Sequence, residues 1–350
     1  MIIGILGSGQ LGRMLAIAAA QLGLKAHIFA PDASNSPAGD IAFATTEAAY
    51  DDHDALIRFA NSVDVITSEF ENVPAATLDL LAMHKKVSPG IAALHTAQHR
   101  IREKKLARSL GIDTPAFWHI KNAASLHSAM AELNKDGILK TCTLGYDGKG
   151  QVRISPSSDL EAAFASLGSD DVILEDMIPF TAEASFLIAR AHDGQSCVFP
   201  ASLNQHKDGI LDQSVAPAAL EDALIKAGTE AVTKLADALD LFGVMALECF
   251  ITEDKRVLFN EIAPRPHNSF HWTIEGCATS QFTQLARVLA GMPFGSVNTY
   301  GRWQMDNLLG QHMQDVPALL ASDHVHVHLY GKTGTKEGRK MGHTNRQITP

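Results

Sequence analysis

The chain has 350 residues, 46% hydrophobic and 19% charged, with a net charge of −10; that is room for two or three domains with ample core, and a poor surface for nucleic acid, although a local basic pocket for a phosphate remains open. The four cysteines, Cys142, Cys197, Cys249 and Cys277, lack CxxC spacing and read as reduced cytoplasmic thiols. No apolar run reaches the ~18 residues of a membrane span, and MIIGILG has no basic leader with a cleavage site, so neither a membrane nor secretion is expected.

Residues 2–6 (IIGIL) read as a buried strand, and Gly7, Gly9 and Gly12 as GxGxxG opening a helix that runs to about Leu22 and stops at Gly23. A second strand, 24–29, is followed by Asp32. Strand-like runs at 40–44 and 63–67 flank a helix near 52–61; Pro74 opens another helix, and 86–88 is a last short strand. This alternation predicts a doubly wound parallel sheet over residues 1–98. Residues 96–110 read as one basic helix closed by Gly111, leading into a small α+β unit over 99–177. That unit comprises strand FWHI, helix 123–134, strand GILK, a glycine-rich loop at 143–150, strand QVRI, helix 158–167 and strand DVILE. From 178 to 350 the pattern is α+β with an antiparallel sheet: strands at 184–191 and 196–200, helices at about 219–240 and 279–290, and a closing alternation, HVHVHLY, before a Gly- and Lys-rich turn.

Between those two helices lies an acidic hairpin, VMALECFI and RVLFNEI around the turn TEDK. Each run buries one carboxylate, which is costly unless the charge is paired or holds a metal. A turn centred between Glu253 and Asp254 sets Glu248 opposite Phe259, with Glu261 a diagonal neighbour roughly 7 Å away. Asn260 adds another oxygen, and such hard ligands suit Mg²⁺ shared with nucleotide phosphates. The alternative is a solvated carboxylate on each strand.

GSGQLG with Asp32 fits a dinucleotide fingerprint, yet its physics is that of helix N-terminal amides, which serve any phosphate. LGYDGKGQ joins two strands; Gly145, Gly148 and Gly150 permit a mobile loop around a polyphosphate, with Lys149 a charge partner and Lys140 at the end of the preceding strand. It is not a Walker A loop. EDMIPF at 175–180 is either a linker or a source of backbone groups for a purine, and RPHNS at 265–269 offers forked donors for a small planar oxyanion. His324, His326 and His328 are spread over roughly 13 Å at about 3.3 Å per residue, so they read as a polar strand face and not as one metal site.

Taken in order, GSGQLGRM, LGYDGKGQ, MALECF…FNEIAPRPHNSFHWT and GRKMGH resemble the 5-(carboxyamino)imidazole ribonucleotide synthase family of ATP-grasp ligases over nearly the whole chain. The resemblance implies a Rossmann-like pre-ATP-grasp domain at 1–98, a central ATP-grasp lid at 99–177, and a C-terminal ATP-grasp domain at 178–350. The implied reaction of purine biosynthesis consumes 5-aminoimidazole ribonucleotide, bicarbonate and MgATP. The implied cofactors are ATP and Mg²⁺, and the implied state is a cytoplasmic homodimer.

By the same resemblance Arg100 and Lys140 hold the nucleotide phosphates, with Gly145, Tyr146, Asp147, Gly148, Lys149, Gly150 and Gln151 closing over them. Glu175, Asp176, Met177 and Ile178 line the adenine; Glu183 takes the ribose hydroxyls; His206 and Asn260 are further nucleotide contacts. Glu248 and Glu261 hold Mg²⁺, and Arg265, His267 and Asn268 hold bicarbonate. Tyr146, Asp147, Lys332 and Arg339 face the ribonucleotide, with Gly9 and Gln10 near its phosphate. Cys142 and Leu144 are expected only to pack. The competing readings are a formate-dependent ribonucleotide transformylase, a biotin carboxylase, an NAD-dependent dehydrogenase and a non-catalytic nucleotide sensor.

Overall fold

Three sheets organise the chain, and the structure, a computed structural model, describes residues 1–145 and 150–349. The first strand, β1 (Ile2–Leu6), is apolar and almost wholly buried, as the centre of a sheet covered on both faces requires. It pairs in parallel with β2 (Lys25–Ala30) and β4 (Val65–Ser68); β3 (Ala44–Glu47) and β5 (Val87–Ser88) complete the order β3-β2-β1-β4-β5. Helices α1 (Gln10–Gln21), α2 (His53–Ser62) and α3 (Ala75–Ala82) connect these strands, and α4 (Ile91–Ala97) follows the last. The strand expected at 40–44 starts only at Ala44. Before it comes a 3₁₀ turn, Gly39–Ile41, where the Ser36 hydroxyl accepts the Gly39 amide and the Ser36 carbonyl accepts that of Asp40.

The single basic helix expected at 96–110 is two helices, α4 and α5 (Arg100–Ser109). His99 between them is extended (φ −149°), and the Gln98 side-chain amide is fastened to the carbonyls of Glu71 and Val73 at 2.8 Å each. Beyond α5, strands β6 (Phe117–Ile120), β7 (Gly137–Thr141), β8 (Gln151–Ile154) and β9 (Val172–Asp176) form an antiparallel sheet ordered β6-β9-β7-β8. Helices α6 (Ala123–Leu133) and α7 (Leu160–Ser166) cover it with Leu126, Met130, Leu133 and Leu160.

The third sheet has nine strands: β10 (Ala182–Arg190), β11 (Ser196–Val198), β12 (Ser202–Lys207), β13 (Ile210–Ala216), β14 (Gly243–Ile251), β15 (Val257–Ala263), β16 (Arg302–Leu309), β17 (His326–Leu329) and β18 (Lys340–Thr349). Its order is β15-β14-β10-β12-β13-β16-β18-β17, with β11 on β10. The hairpin β12–β13 was not expected from sequence, although its Asp208-Gly209 turn, both residues at positive φ, is a hairpin signal. Strands β16 and β18 were likewise not anticipated. Helices α8 (Asp222–Ala238) and α10 (Gln281–Leu289) pack on this sheet, while α9 (Thr273–Gly276) and α11 (Val316–Leu320) are short. Among the described residues no helix is long and apolar enough to cross a membrane.

Helix α8 comes close to the sheet at Gly228, where an added Cβ would fall 2.1 Å from the Phe186 ring. Gly228→Ala is expected to destabilise the chain by about 1–3 kcal/mol through overpacking, despite alanine's better helix propensity. A lowered urea midpoint with an unchanged slope is the expected readout.

Candidate active site

The acidic hairpin closes in a different register from the one expected. Cys249 pairs with Phe259, but Glu248 pairs directly with Glu261, because a β-bulge makes Asn260 an extra residue on β15. The turn is also one residue longer than an even-length loop, Phe250 facing Leu258. The two carboxylates are therefore direct cross-strand neighbours.

Each carboxylate has its own cation. Arg100, the first residue of α5, reaches Glu261 at 2.8 Å and the Gly145 carbonyl at 3.4 Å. His267 Nε2 lies 2.9 Å from Glu248 Oε1, and its Nδ1 is 2.7 Å from the Ser269 hydroxyl. Burial raises the Glu248 carboxyl, but His267 outweighs it, with His206 and Lys340 adding, and the group is held at about 2. Burial lowers the Arg100 guanidinium, yet Glu261 carries it well above its usual range. Along the same sheet face, His206 on β12 is ion-paired with Glu183 on β10; its burial is outweighed by that carboxylate, which raises the imidazole. Ser185, two residues from Glu183, stands opposite Glu248.

The smaller sheet meets these strands through α5. Glu175 on β9 is buried between Lys104 (3.2 Å) and Lys140 (2.9 Å). Burial opposes ionisation there, and the two ammonium groups still hold Glu175 at about 2. Lys104 also donates to the Asn260 carbonyl at 3.2 Å, and Glu103 accepts the Ile262 amide at 2.9 Å. Burial and then Glu261 push the Glu103 carboxyl up to about 8. Neither Glu103 nor Lys104 was singled out by sequence, where they read only as part of one basic helix. Lys140 is engaged by Glu175, and Gln151 faces it across β7–β8. Asp176 pairs with Lys135 at 2.8 Å, while Met177 is exposed beside Ile178. Tyr146, Asp147, Gly148 and Lys149 lie outside the described residues; Gly145 and Gly150 flank them. Cys142 is buried as expected, but Leu144 does not pack: it is 70% exposed with φ +61°.

Behind the hairpin, Arg265 pairs with Glu71 at 2.7 Å, and both side-chain atoms of Asn268 are buried with no partner among the described residues. The glycine-rich turn carries a surprise: Glu69 supplies its anion. The carboxylate accepts the amides of Gly9 and, at 2.6 Å, of Gly12. A Cβ on Gly9 would come within 2.8 Å of that carboxylate. Burial leaves the Glu69 carboxyl raised above its usual range, although the Gly12 and Gly9 amides, Arg265 and Lys332 pull it down in part. Asp32 accepts the Ser8 hydroxyl at 2.6 Å. With two amides and Asp32 already engaged, the dinucleotide reading loses its basis. Glu69 and Glu71 were missed, though both sit just past β4 at the carboxyl edge of a parallel sheet, where ligands bind. Lys332 approaches this turn from the far end of the chain. Arg339 is bound to the carbonyls of Thr333 and Gly334 in its own loop. Gln10 opens α1 beside Gly9. His326 is exposed, and His328 pairs with Glu275 at 2.7 Å, as suits a polar strand face.

Three family models match the chain: the ribonucleotide synthetase preATP-grasp domain over residues 1–98, the ATP-grasp domain over 105–282, and the phosphoribosylaminoimidazole carboxylase C-terminal domain over 304–347. An N5-carboxyaminoimidazole ribonucleotide synthase of Brucella melitensis is 44% identical over 346 residues, covering 98% of this chain and 95% of the relative. The chain belongs to the N5-carboxyaminoimidazole ribonucleotide synthase family. It is thus an ATP-grasp ligase. A solved N5-carboxyaminoimidazole ribonucleotide synthetase in complex with ADP superposes with a TM-score of 0.94 at 38% identity, over 98% of this chain and 91% of that one. The synthase of Aspergillus clavatus with ADP and 5-aminoimidazole ribonucleotide gives 0.92 at 30%, over 99% and 94%. The chain also matches 37% of a longer relative, a bifunctional purine synthesis protein of Dictyostelium discoideum, at 43% identity over 368 residues, 99% of this chain.

For Glu175 the sign follows from its depressed carboxyl. Its contribution is complete above the ordinary value of 4.5 and is lost as pH falls toward about 2. Lys104→Met is expected to cost roughly 3–5 kcal/mol at pH 7. The difference from wild type should shrink through that acid window in urea unfolding; a difference independent of pH would remove Lys104 as the partner of an ionised Glu175.

Proposed function

We propose that this chain joins bicarbonate to the exocyclic amine of 5-aminoimidazole ribonucleotide at the expense of ATP, giving N5-carboxyaminoimidazole ribonucleotide, ADP and phosphate. The observation that carries it is the direct pairing of Glu248 with Glu261, immediately followed in sequence by Arg265, His267 and Asn268. Two hard carboxylates side by side fit Mg²⁺, and the unpartnered amide of Asn268 fits a small oxyanion. When bound, Mg²⁺ would neutralise charge on the transferring phosphoryl group.

The other roles are those the family resemblance implies. Arg100 and Lys140, with the loop Gly145 to Gln151 and its Tyr146, Asp147, Gly148, Lys149 and Gly150, hold the phosphates between the two antiparallel sheets. Glu175, Asp176, Met177 and Ile178 frame the adenine, and Glu183 with His206 the ribose. Arg265, His267 and Asn268 orient bicarbonate so that its oxygen attacks the terminal phosphorus and ADP departs. The exocyclic amine then attacks the carboxyl carbon, on carboxyphosphate or on CO₂ released from it; phosphate leaves and the amine loses a proton. Gly9, Gln10 and Lys332 hold the ribonucleotide, with Arg339 joining once it leaves its own loop. The division at 1–98, 99–177 and 178–350 is supported by one sheet in each part. Four free cysteines fit a cytoplasmic enzyme, and the family resemblance supports a homodimer.

The test is ADP release with MgATP and bicarbonate. Release stimulated by 5-aminoimidazole ribonucleotide is the expected result; dependence on formate or biotin instead would overturn the substrate assignment. Glu261→Gln should lower kcat roughly 10²–10³-fold with the fold intact, and near wild-type turnover at saturating Mg²⁺ would remove Glu261 from the metal site. Arg265→Lys should raise the bicarbonate requirement with ATP binding unchanged, because an ammonium cannot replace a planar fork.

A further inference from the structure

One cluster outside this machinery has the donor chemistry of a metal centre. His99, His119, Cys142 and Asp171 each direct one ligand atom to a common point, all within 4.8 Å of one another. The four come from separate elements: the break between α4 and α5, the edge strand β6, the end of β7, and the residue before β9. Asp171 holds the arrangement. Its Oδ2 is 3.0 Å from His99 Nε2, its Oδ1 is 2.6 Å from His119 Nε2, and exposed Lys121 approaches the same Oδ1 at 2.8 Å.

A plain ion-pair cluster around Asp171 would explain the two imidazoles and the lysine. It does not explain why a thiol completes the group, buried between Ile101 and Ile173 with its sulfur facing the carboxylate. Two imidazoles, a thiol and a carboxylate are ligands that favour tetrahedral zinc. With bonds of about 2.0–2.3 Å, tetrahedral ligand atoms lie roughly 3.3–3.8 Å apart, so the widest pairs must close by no more than ~1.5 Å while the Asp171–imidazole contacts, at 2.6 and 3.0 Å, open by roughly 1 Å or less. The two imidazoles can supply these shifts, His119 from an exposed position on an edge strand and His99 from an interhelical break. A cavity of about 300 Å³, lined among others by Gln98, His99, Arg102 and Thr143, borders the cluster at His99.

The geometry points to a zinc-class divalent cation site formed by His99, His119, Cys142 and Asp171, distinct from the Glu248–Glu261 pair. Lys121, more than half exposed, swings into solvent when the cation takes its place. A cation there would tie β6, β7 and β9 to the N-terminus of α5. The Arg100 amide already donates to the Cys142 carbonyl at 3.0 Å, so the site lies one residue from the arginine that holds Glu261.

The experiment is titration of the metal-stripped full-length chain with Co²⁺ and Zn²⁺. One equivalent of Co²⁺ should give tetrahedral ligand-field bands and a thiolate-to-cobalt charge-transfer band, and one Zn²⁺ per chain should displace it. Cys142→Ser should abolish the charge-transfer band. His119→Gln, at an exposed position where folding is not at issue, should weaken Zn²⁺ binding by roughly 100-fold or more, since even outer-shell partners are worth 10–100-fold. Failure to bind Co²⁺ stoichiometrically, absence of the charge-transfer band in the parent chain, or unchanged affinity in His119→Gln would each overturn the assignment. None of these readouts depends on turnover, so they stand apart from the test of the proposed reaction.

Discussion

Two carboxylates that face each other across a hairpin repel, and the surrounding structure answers that repulsion. At the ~5 Å of a direct cross-strand pair and an effective dielectric near 20, the cost is roughly 3 kcal/mol. Arg100 is brought from the start of α5, His267 from the loop after β15, and Lys340 from the last strand, more than two hundred residues apart in sequence. Glu103 feels the same crowding: its carboxyl is driven upward, first by burial and then by Glu261, against the pull of Arg100 and Lys104. The two carboxylates thus stay side by side because each has a positive partner of its own.

Helix α5 is the strut that makes this arrangement three-dimensional. Arg100, Glu103 and Lys104 fall at spacings of three and four residues and so share one helical face. That face is fastened to β15 by Glu261, the Ile262 amide and the Asn260 carbonyl, and to the smaller sheet by Glu175 and the Cys142 carbonyl. Both sheets are referenced to a single rigid element. The Asn260 bulge belongs to the same design, since it places Glu261 opposite Glu248 and turns the Asn260 carbonyl toward Lys104.

What the sequence made legible was whatever depends on local pattern. The parallel sheet showed in its alternation of apolar strands and helices, and the acidic hairpin in two apolar runs around a polar turn. The register did not, because a bulge is one extra residue and nothing in VLFNEIA marks which residue it is. The split at Gln98–His99 was hidden because the helix-forming residues run on through it, and the break is enforced by distant carbonyls of Glu71 and Val73. Strand β16 pairs only with β13 and β18, both far away in the chain, and β18 is joined to its neighbour β17 by a long connection, so no tight hairpin turn announces either. Glu69 escaped for a related reason: its meaning lies in two amides some sixty residues earlier.

That carboxylate has a consequence for selectivity. A bare helix N-terminus is an indiscriminate trap for phosphate, sulfate or any small anion in the surroundings. Here the chain carries its own competitor, tethered at an effective concentration of roughly millimolar or more. A free anion offers the turn little that Glu69 does not already provide. Only a ligand that recovers the loss through additional contacts, with Arg265 and Lys332 nearest to hand, can displace it. The turn is thus closed to simple anions by a carboxylate of its own chain.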